Sequence, residues 1–418
     1  MTKRRNEQAL EVWLDAAHFQ QGYCKVGTLF NDRGQIRFVY TDTWLKHPLC
    51  FMLDPELTLD AGVFFPDPQK ANFGIFLDSC PDRWGQQLMD RRELIQARDE
   101  KRPIRTLYAW DYLLGAQDET RIGALRFRLN DNSPFLDNQP LPAPPVTSLQ
   151  ELAQIALELS SKHIDDLNNL RQWLAVLVAP GASLGGAHPK ANFRALDGSL
   201  WIAKFPSRDD IRDHGAWEKV VHDLAAAAKI WVPSSKLVSF HNHHHTFCVQ
   251  RFDRTHQQRH FFTSAMTLLG HTEGEFSSYL ELAEWIATHG APAFIEEDLA
   301  QLFRRVAFNI MVSNRDDHLR NHGFIRFPEG WRLSPAYDLN PNLEKAHHVL
   351  AIDEVNQDPN LNILLATADF YRLKTTEAAH ILEEVSTVVS TWQACAKRLG
   401  IANAEIALTA PAFHTHMT

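Results

Sequence analysis

Asp316 and Asn321 stand five residues apart in the stretch Asn314-Arg-Asp-Asp-His-Leu-Arg-Asn321. A carboxylate can orient an acceptor hydroxyl and take its proton, and an amide oxygen five residues on can hold a magnesium ion, so this spacing suits phosphoryl transfer. A second carboxylate, Asp338, lies 22 residues past Asp316 in Ser334-Pro-Ala-Tyr-Asp338-Leu, after what reads as a short strand pair, where a further metal ligand would stand. Upstream runs Gly181-Ala-Ser183-Leu-Gly185-Gly186-Ala-His-Pro-Lys190, whose small residues would let backbone amides approach a polyphosphate closely. Lys204 follows inside the apolar strand Trp-Ile-Ala-Lys-Phe, and Glu218 on the next helix is the natural carboxylate to hold its ammonium.

Taken singly these are weak signals: a glycine-rich turn, a solvated strand lysine, an exposed helix carboxylate and a capped polar loop are all common. Their order along one chain is what points to phosphoryl transfer. A metal hydrolase built on Asp316, Asp317 and His318 would leave Lys204 and the glycine-rich loop without a role. His241, His243, His244 and His245 crowd a turn between two strands, yet no cysteine or carboxylate stands at metal-ligand spacing beside them. That turn reads as a solvated hairpin tip.

The elements that must position these residues follow from periodicity. Residues 11–14, 23–30 and 35–40 read as strands, with Asn31-Asp-Arg-Gly34 as a hairpin turn between the last two. Helices are expected over 72–100 and 106–114, and a strand over 121–127. Five prolines between 134 and 145 forbid a regular interior element, which marks a domain boundary. A helix begins at Ser148, with Glu151 completing a capping box. Strands follow at 199–205, 236–240 and 246–252, with a helix over 215–229 between the first two. Beyond about residue 276 the pattern is mostly helical, with a hairpin-like insert at 322–339. The domains expected are therefore 1–130, a linker at 131–147, 148–275 with the glycine-rich loop, and 276–418 with the Asp316 loop.

The chain has 418 residues, 51 acidic against 42 basic, for a net charge of −9, which argues against gripping nucleic acid by overall charge. Hydrophobic residues at 44% and charged residues at 22% exclude wholesale disorder. No apolar run approaches the roughly 18 residues that would span a bilayer. The opening Met-Thr-Lys-Arg-Arg lacks an apolar segment behind it, so no secretory signal is read, and a cytoplasmic location with no membrane contact is expected. Five cysteines without a C-x-x-C pair argue for free thiols.

The same residues resemble the HipA family of bacterial toxin kinases over nearly the whole chain. VWLDAAHFQQGYCKVGTLF, FLDSCPDRWGQQL and RIGALRF are similar to that family's N-terminal subdomain. SLGGAHPKA, WIAKFP, VQRFDR, NRDDHLRNHGF and LSPAYDL are similar to its kinase core, in the family's order. The resemblance implies an α/β (α+β) architecture: a small N-terminal α+β subdomain, then a bilobal protein-kinase-like core with a mostly helical C-terminal lobe. It implies that Ser183 is an autophosphorylated serine, with Gly185 and Gly186 in the nucleotide-binding loop and Lys190 the lysine after it. It implies Lys204 on the ATP phosphates, Glu218 as its partner, Gln250, Arg251 and Phe252 as the hinge whose backbone meets adenine, Asp316 as the catalytic base, and Asn321 and Asp338 as magnesium ligands. Arg320 stands where the family carries lysine, which keeps the charge but not the geometry. Gln250 stands for a glutamate, which leaves backbone contacts intact.

The function this implies is ATP- and Mg²⁺-dependent phosphorylation of a serine or threonine on a protein, the substrate being a translation component such as an aminoacyl-tRNA synthetase. The partner implied is a small helix-turn-helix, HipB-like antitoxin, with DNA contacted only through it. Two other readings share part of the pattern: a small-molecule kinase of the aminoglycoside-phosphotransferase type, and a pseudokinase serving as a partner in a repressor complex.

Overall fold

The computed structural model describes residues 7–16, 19, 22–136, 148–159, 188–240, 244–256 and 258–414. Ser183, Gly185 and Gly186 of the glycine-rich loop, most of the proline-rich stretch, and His241 and His243 lie outside the described residues. The chain divides into two compact units, one of Met1–Ala203, Asp253–Thr263 and Gly270–Thr272, the other of Lys204–Phe252, Ser264–Leu269 and Glu273–Thr418.

In the first unit, β1 (Glu7–Leu14), β2 (Cys24–Asp32), β3 (Gln35–Tyr40) and β4 (Leu125–Arg128) form an antiparallel sheet in the order β3-β2-β1-β4. Strand alternation puts Leu10, Val12 and Leu14 on its buried face. The β2–β3 turn falls where the sequence places it, with Arg33 and Gly34 both at positive φ and Gly34 N donating to Asn31 Oδ1 at 2.7 Å. Phe73 and Phe76 pack on Phe38 of β3, and Phe76 also on Phe127 of β4, the rings edge-on or tilted to one another.

The strand expected from residue 121 begins instead at Leu125. Arg121 is buried and its guanidinium donates to the carbonyls of Ser79, Leu113 and Ala116, while Gly123 takes φ +73° with its Cα face against the Phe262 backbone. That segment bends to serve as a clamp before it can pair. The helical stretch expected over 72–100 is two helices, Gly74–Asp78 and Arg83–Asp99. Asp82 separates them, capping the second through Gly85 N at 2.9 Å. Its other oxygen meets Lys190 Nζ at 2.8 Å, so the lysine that follows the glycine-rich loop is buried on a carboxylate. A helix at Leu149–Leu159 and strands β5 (Lys190–Arg194) and β6 (Leu200–Lys204) complete the stretch, the last residue of β6 counting with the second unit.

The second unit opens on a helix, His214–Ala227, whose Trp217, Val220, Val221 and Leu224 are buried as their spacing predicts. Asp213 caps it through Ala216 N and also binds the His245 backbone and ring. His245 therefore braces a helix end and is not a free hairpin tip. β7 (Ser235–Val238) and β8 (Thr246–Gln250) pair antiparallel. Mostly helical structure follows from Tyr279 onward, as expected, interrupted by the hairpin Gly323–Phe327 with Gly330–Leu333. The central helix, Ile295–Met311, buries Leu299, Leu302, Phe303, Val306 and Ile310 on one face. Three acidic residues in its first turn, Glu296, Glu297 and Asp298, favour the positive end of its dipole. Among the described residues no helix is long and apolar enough to cross a membrane.

Candidate active site

The second unit alone brings together Lys204, Glu218, the Gln250–Phe252 segment, Asp316, Asn321 and Asp338. Lys204 leaves the end of β6 and sits between two carboxylates, with Nζ at 2.6 Å from Glu218 Oε1 and 2.6 Å from Asp338 Oδ1. Burial alone would lower the pKa of this ammonium, but Asp338 and Glu218 more than offset that, and the net direction is upward. Lys204 therefore carries its charge throughout the physiological range.

Asp338 holds its carboxylate with a left-handed backbone, φ 57°, which aspartate tolerates better than most side chains. Asn340 Nδ2 donates to the same oxygen at 3.4 Å, and Asn340 N reaches Asn314 Oδ1 at 3.5 Å, tying the Asp338 segment to the loop that carries Asp316.

That loop leaves the C-terminal end of the central helix. Its anchor is Asp317, the neighbour of Asp316, which is 2% exposed. Asp317 Oδ2 accepts from Tyr279 Oη at 2.6 Å and Asn309 Nδ2 at 2.9 Å, and lies 2.7 Å from His322 Nε2. Burial pushes this carboxyl upward, but His322 and Tyr279 outweigh it and hold the group below the usual carboxylate range. Asn314 Nδ2 donates to Asn309 Oδ1 at 3.1 Å, adding a second tie to the helix. With Asp317 turned inward, Asp316 is left exposed, its carboxylate contacted by Lys345. Asn321 ends a short 3₁₀ turn, Leu319–Asn321, and is 7% exposed.

The Gln250–Phe252 segment continues β8, with Gln250 N donating to Ser234 O at 2.8 Å and Arg251 buried. Phe252 stacks on Tyr337 at 5.6 Å between ring centroids, and Tyr337 Oη donates to Arg320 O at 2.7 Å. Tyr337 thus joins the hinge-like segment to the Asp316 loop. Sequence reasoning assigned no role to Tyr337, Asp317, His322, Asn309 or Lys345. Tyr337, Asp317 and His322 directly adjoin Asp338, Asp316 and Asn321 in the chain, whereas Asn309 and Lys345 are joined to them only by tertiary contacts.

The donors fit a magnesium ion in kind: a carboxylate at Asp338 and an amide at Asn321 are the hard oxygen ligands such an ion takes. The ammonium between two carboxylates is of the sort that holds a phosphate in place once an anion competes for it.

The family model of the HipA-like C-terminal domain matches residues 182–392, just over half of the chain. A Haemophilus influenzae protein whose curated name places it provisionally among kinases is 34% identical over 126 residues, which cover 26% of this chain. The chain spans about a third of that relative, 35% of its length. The fold is similar to that of HipA from Shewanella oneidensis, solved in a complex with HipB and its operator DNA, with a TM-score of 0.67 and 18% identity over 96% of this chain and 94% of that one. Its mixed α/β architecture is thus of the kind seen in HipA, and by the match of its residues 182–392 the chain belongs to the HipA family.

Proposed function

We propose that this chain is a kinase that transfers the γ-phosphoryl group of ATP, with Mg²⁺, to a serine or threonine hydroxyl of a protein. The observation that carries the reading is the Lys204 ammonium held at 2.6 Å from both Glu218 and Asp338, in the same unit as Asp316 and Asn321. In this reading the acceptor hydroxyl gives its proton to Asp316, its oxygen bonds to the γ-phosphorus, and the bond from that phosphorus to the bridging oxygen of ADP breaks. Lys204 neutralises phosphate charge, and the backbone of Gln250, Arg251 and Phe252 meets adenine. Asp338 and Asn321 would hold the magnesium ion, which supplies further neutralisation of the phosphates. Little covalent chemistry is asked of the protein, so positioning and electrostatics supply the rate.

HipA of Shewanella was solved with HipB and operator DNA, which supports a HipB-like helix-turn-helix antitoxin as the partner of this chain, with DNA reached through it. The protein substrate would be a translation component such as an aminoacyl-tRNA synthetase, and the outcome growth arrest.

The test combines labelled ATP and growth. Wild type should transfer γ-label to itself or to an added synthetase only when Mg²⁺ is present, and Asp316→Asn should lose about 100-fold or more, since a positioned base contributes about 10²- to 10⁴-fold. Expression without a partner should arrest bacterial growth, and Asp338→Asn should relieve it. Equal label transfer by wild type and Asp316→Asn would overturn the catalytic assignment; equal toxicity of wild type and Asp338→Asn would overturn the link between transfer and arrest.

A further inference from the structure

Lys345 lies outside every motif described above, yet its ammonium contacts Asp316 Oδ1. An ion pair between partly exposed side chains is by itself worth little. What sets this one apart is the backbone that presents the lysine. Lys345 N and Glu344 N both donate to Asn342 Oδ1, at 3.1 and 2.9 Å. Asn342 N in turn donates to Ser313 O at 2.8 Å, three residues before Asp316. Lys345 O accepts from Arg315 Nη1 at 2.7 Å, and Val349 N donates to Arg315 O at 3.1 Å. The segment carrying Lys345 is thus fastened on both sides to Ser313 and Arg315, the residues that lead into Asp316.

The contact uses one oxygen of the carboxylate. Asp316 Oδ2 carries no hydrogen bond among the described residues, and the side chain is more than half exposed. A carboxylate pinned through one oxygen keeps the other open in a fixed direction, which is what acceptance of a proton from an incoming hydroxyl requires.

We propose that Lys345 is a positioning residue for phosphoryl transfer, holding Asp316 through Oδ1 so that Oδ2 meets the acceptor hydroxyl. This rests on the reading of Asp316 as the base. No bond to Lys345 is made or broken; the proton passes from the hydroxyl to Asp316, and Lys345 takes no part in the transfer itself. An arginine substitution preserves the charge at similar reach, whereas a methionine preserves only the apolar stem.

The experiment uses the full chain with γ-labelled ATP and Mg²⁺, reading label on the chain and free labelled phosphate, for wild type, Lys345→Met, Lys345→Arg, Asp316→Asn and the Lys345→Met/Asp316→Asn double variant. Lys345→Met should lower kcat by about 10- to 100-fold, the loss a misplacement of roughly 1 Å can produce, with KM for ATP changed by less than about twofold. Lys345→Arg should recover most of the rate. In the Asp316→Asn background Lys345→Met should have no further effect, because the group it positions is gone. A thermal melt within about 2 °C of wild type separates this from unfolding, since surface changes are small in stability. If Asp316→Asn is inactive while Lys345→Met turns over like wild type, or if the two losses multiply, the positioning role is overturned and the base assignment stands. If Asp316→Asn turns over like wild type, the base assignment fails and the positioning role falls with it.

Discussion

Lys204 and Asp338 are 134 residues apart in the chain and meet at 2.6 Å, Nζ to Oδ1, with Asp338 at φ 57°. A non-glycine residue held in that region costs on the order of 1–3 kcal/mol and persists only where its surroundings over-determine it. Lys204 and Asn340, both on Oδ1, are among those surroundings. The ammonium therefore fixes the carboxylate beside it.

Lys204→Ala should weaken ATP binding or turnover by about 10- to 100-fold, the range for losing hydrogen bonds to a charged group. Glu218→Ala should cost less, because Asp338 still holds the ammonium. Nucleotide affinity measured by calorimetry, beside the turnover rate, checks both. Unchanged affinity and rate in the two variants would remove Lys204 from the site.

Tyr337 is expected to matter through two separable contacts, its stack on Phe252 and its hydroxyl on Arg320 O. Tyr337→Phe keeps the ring and loses one hydrogen bond, worth about 1 kcal/mol or roughly fivefold in rate. Tyr337→Ala loses both and should also raise KM for ATP. Steady-state kinetics of the pair tells them apart; equal effects would mean that the ring contributes nothing.

Asp317→Ala should destabilise the fold by about 3–5 kcal/mol, since it strips a buried network of its shared acceptor. The pH dependence has a definite sign. The folded-state carboxyl lies below its ordinary range, so its contribution is complete above about pH 4 and is lost as the pH falls further. Urea melts at successive pH values should show the gap between wild type and variant narrowing only in acid. A gap that widens in acid would contradict the assignment.

Ser183 is expected to become phosphorylated when the chain is incubated with ATP and Mg²⁺, adding about −1.5 to −2 charges to a loop that the sequence assigns to phosphate binding. Repulsion of ATP phosphates should then lower nucleotide affinity. Lys190 is not free to capture the new phosphate, since it is buried on Asp82. Mass-spectrometric mapping and the affinity of Ser183→Asp check the idea; an active preparation without phosphate on Ser183 ends it.

Much of the fold was legible because local rules agree with it. Two-residue alternation in β1 to β3, the Asn31–Gly34 turn and the apolar stripe of the central helix are short-range patterns, and the structure follows them. They failed where a side chain reached across the chain. Arg121 reads as a strand residue until its guanidinium finds the carbonyls of Ser79, Leu113 and Ala116. His245 reads as a hairpin tip until Asp213 claims it.

The candidate site divides in the same way. Sequence by itself determined which residue types stand in which order, Lys204, Glu218, Asp316, Asn321 and Asp338, because spacing within a loop and side-chain chemistry are properties of the chain. Only the tertiary structure decided that Lys204 lies between Glu218 and Asp338, that Asp317 faces inward while Asp316 faces out, and that Lys345 and Tyr337 belong beside them. Burial, and which buried polar group finds which partner, are settled when distant segments pack, and no local pattern records that choice.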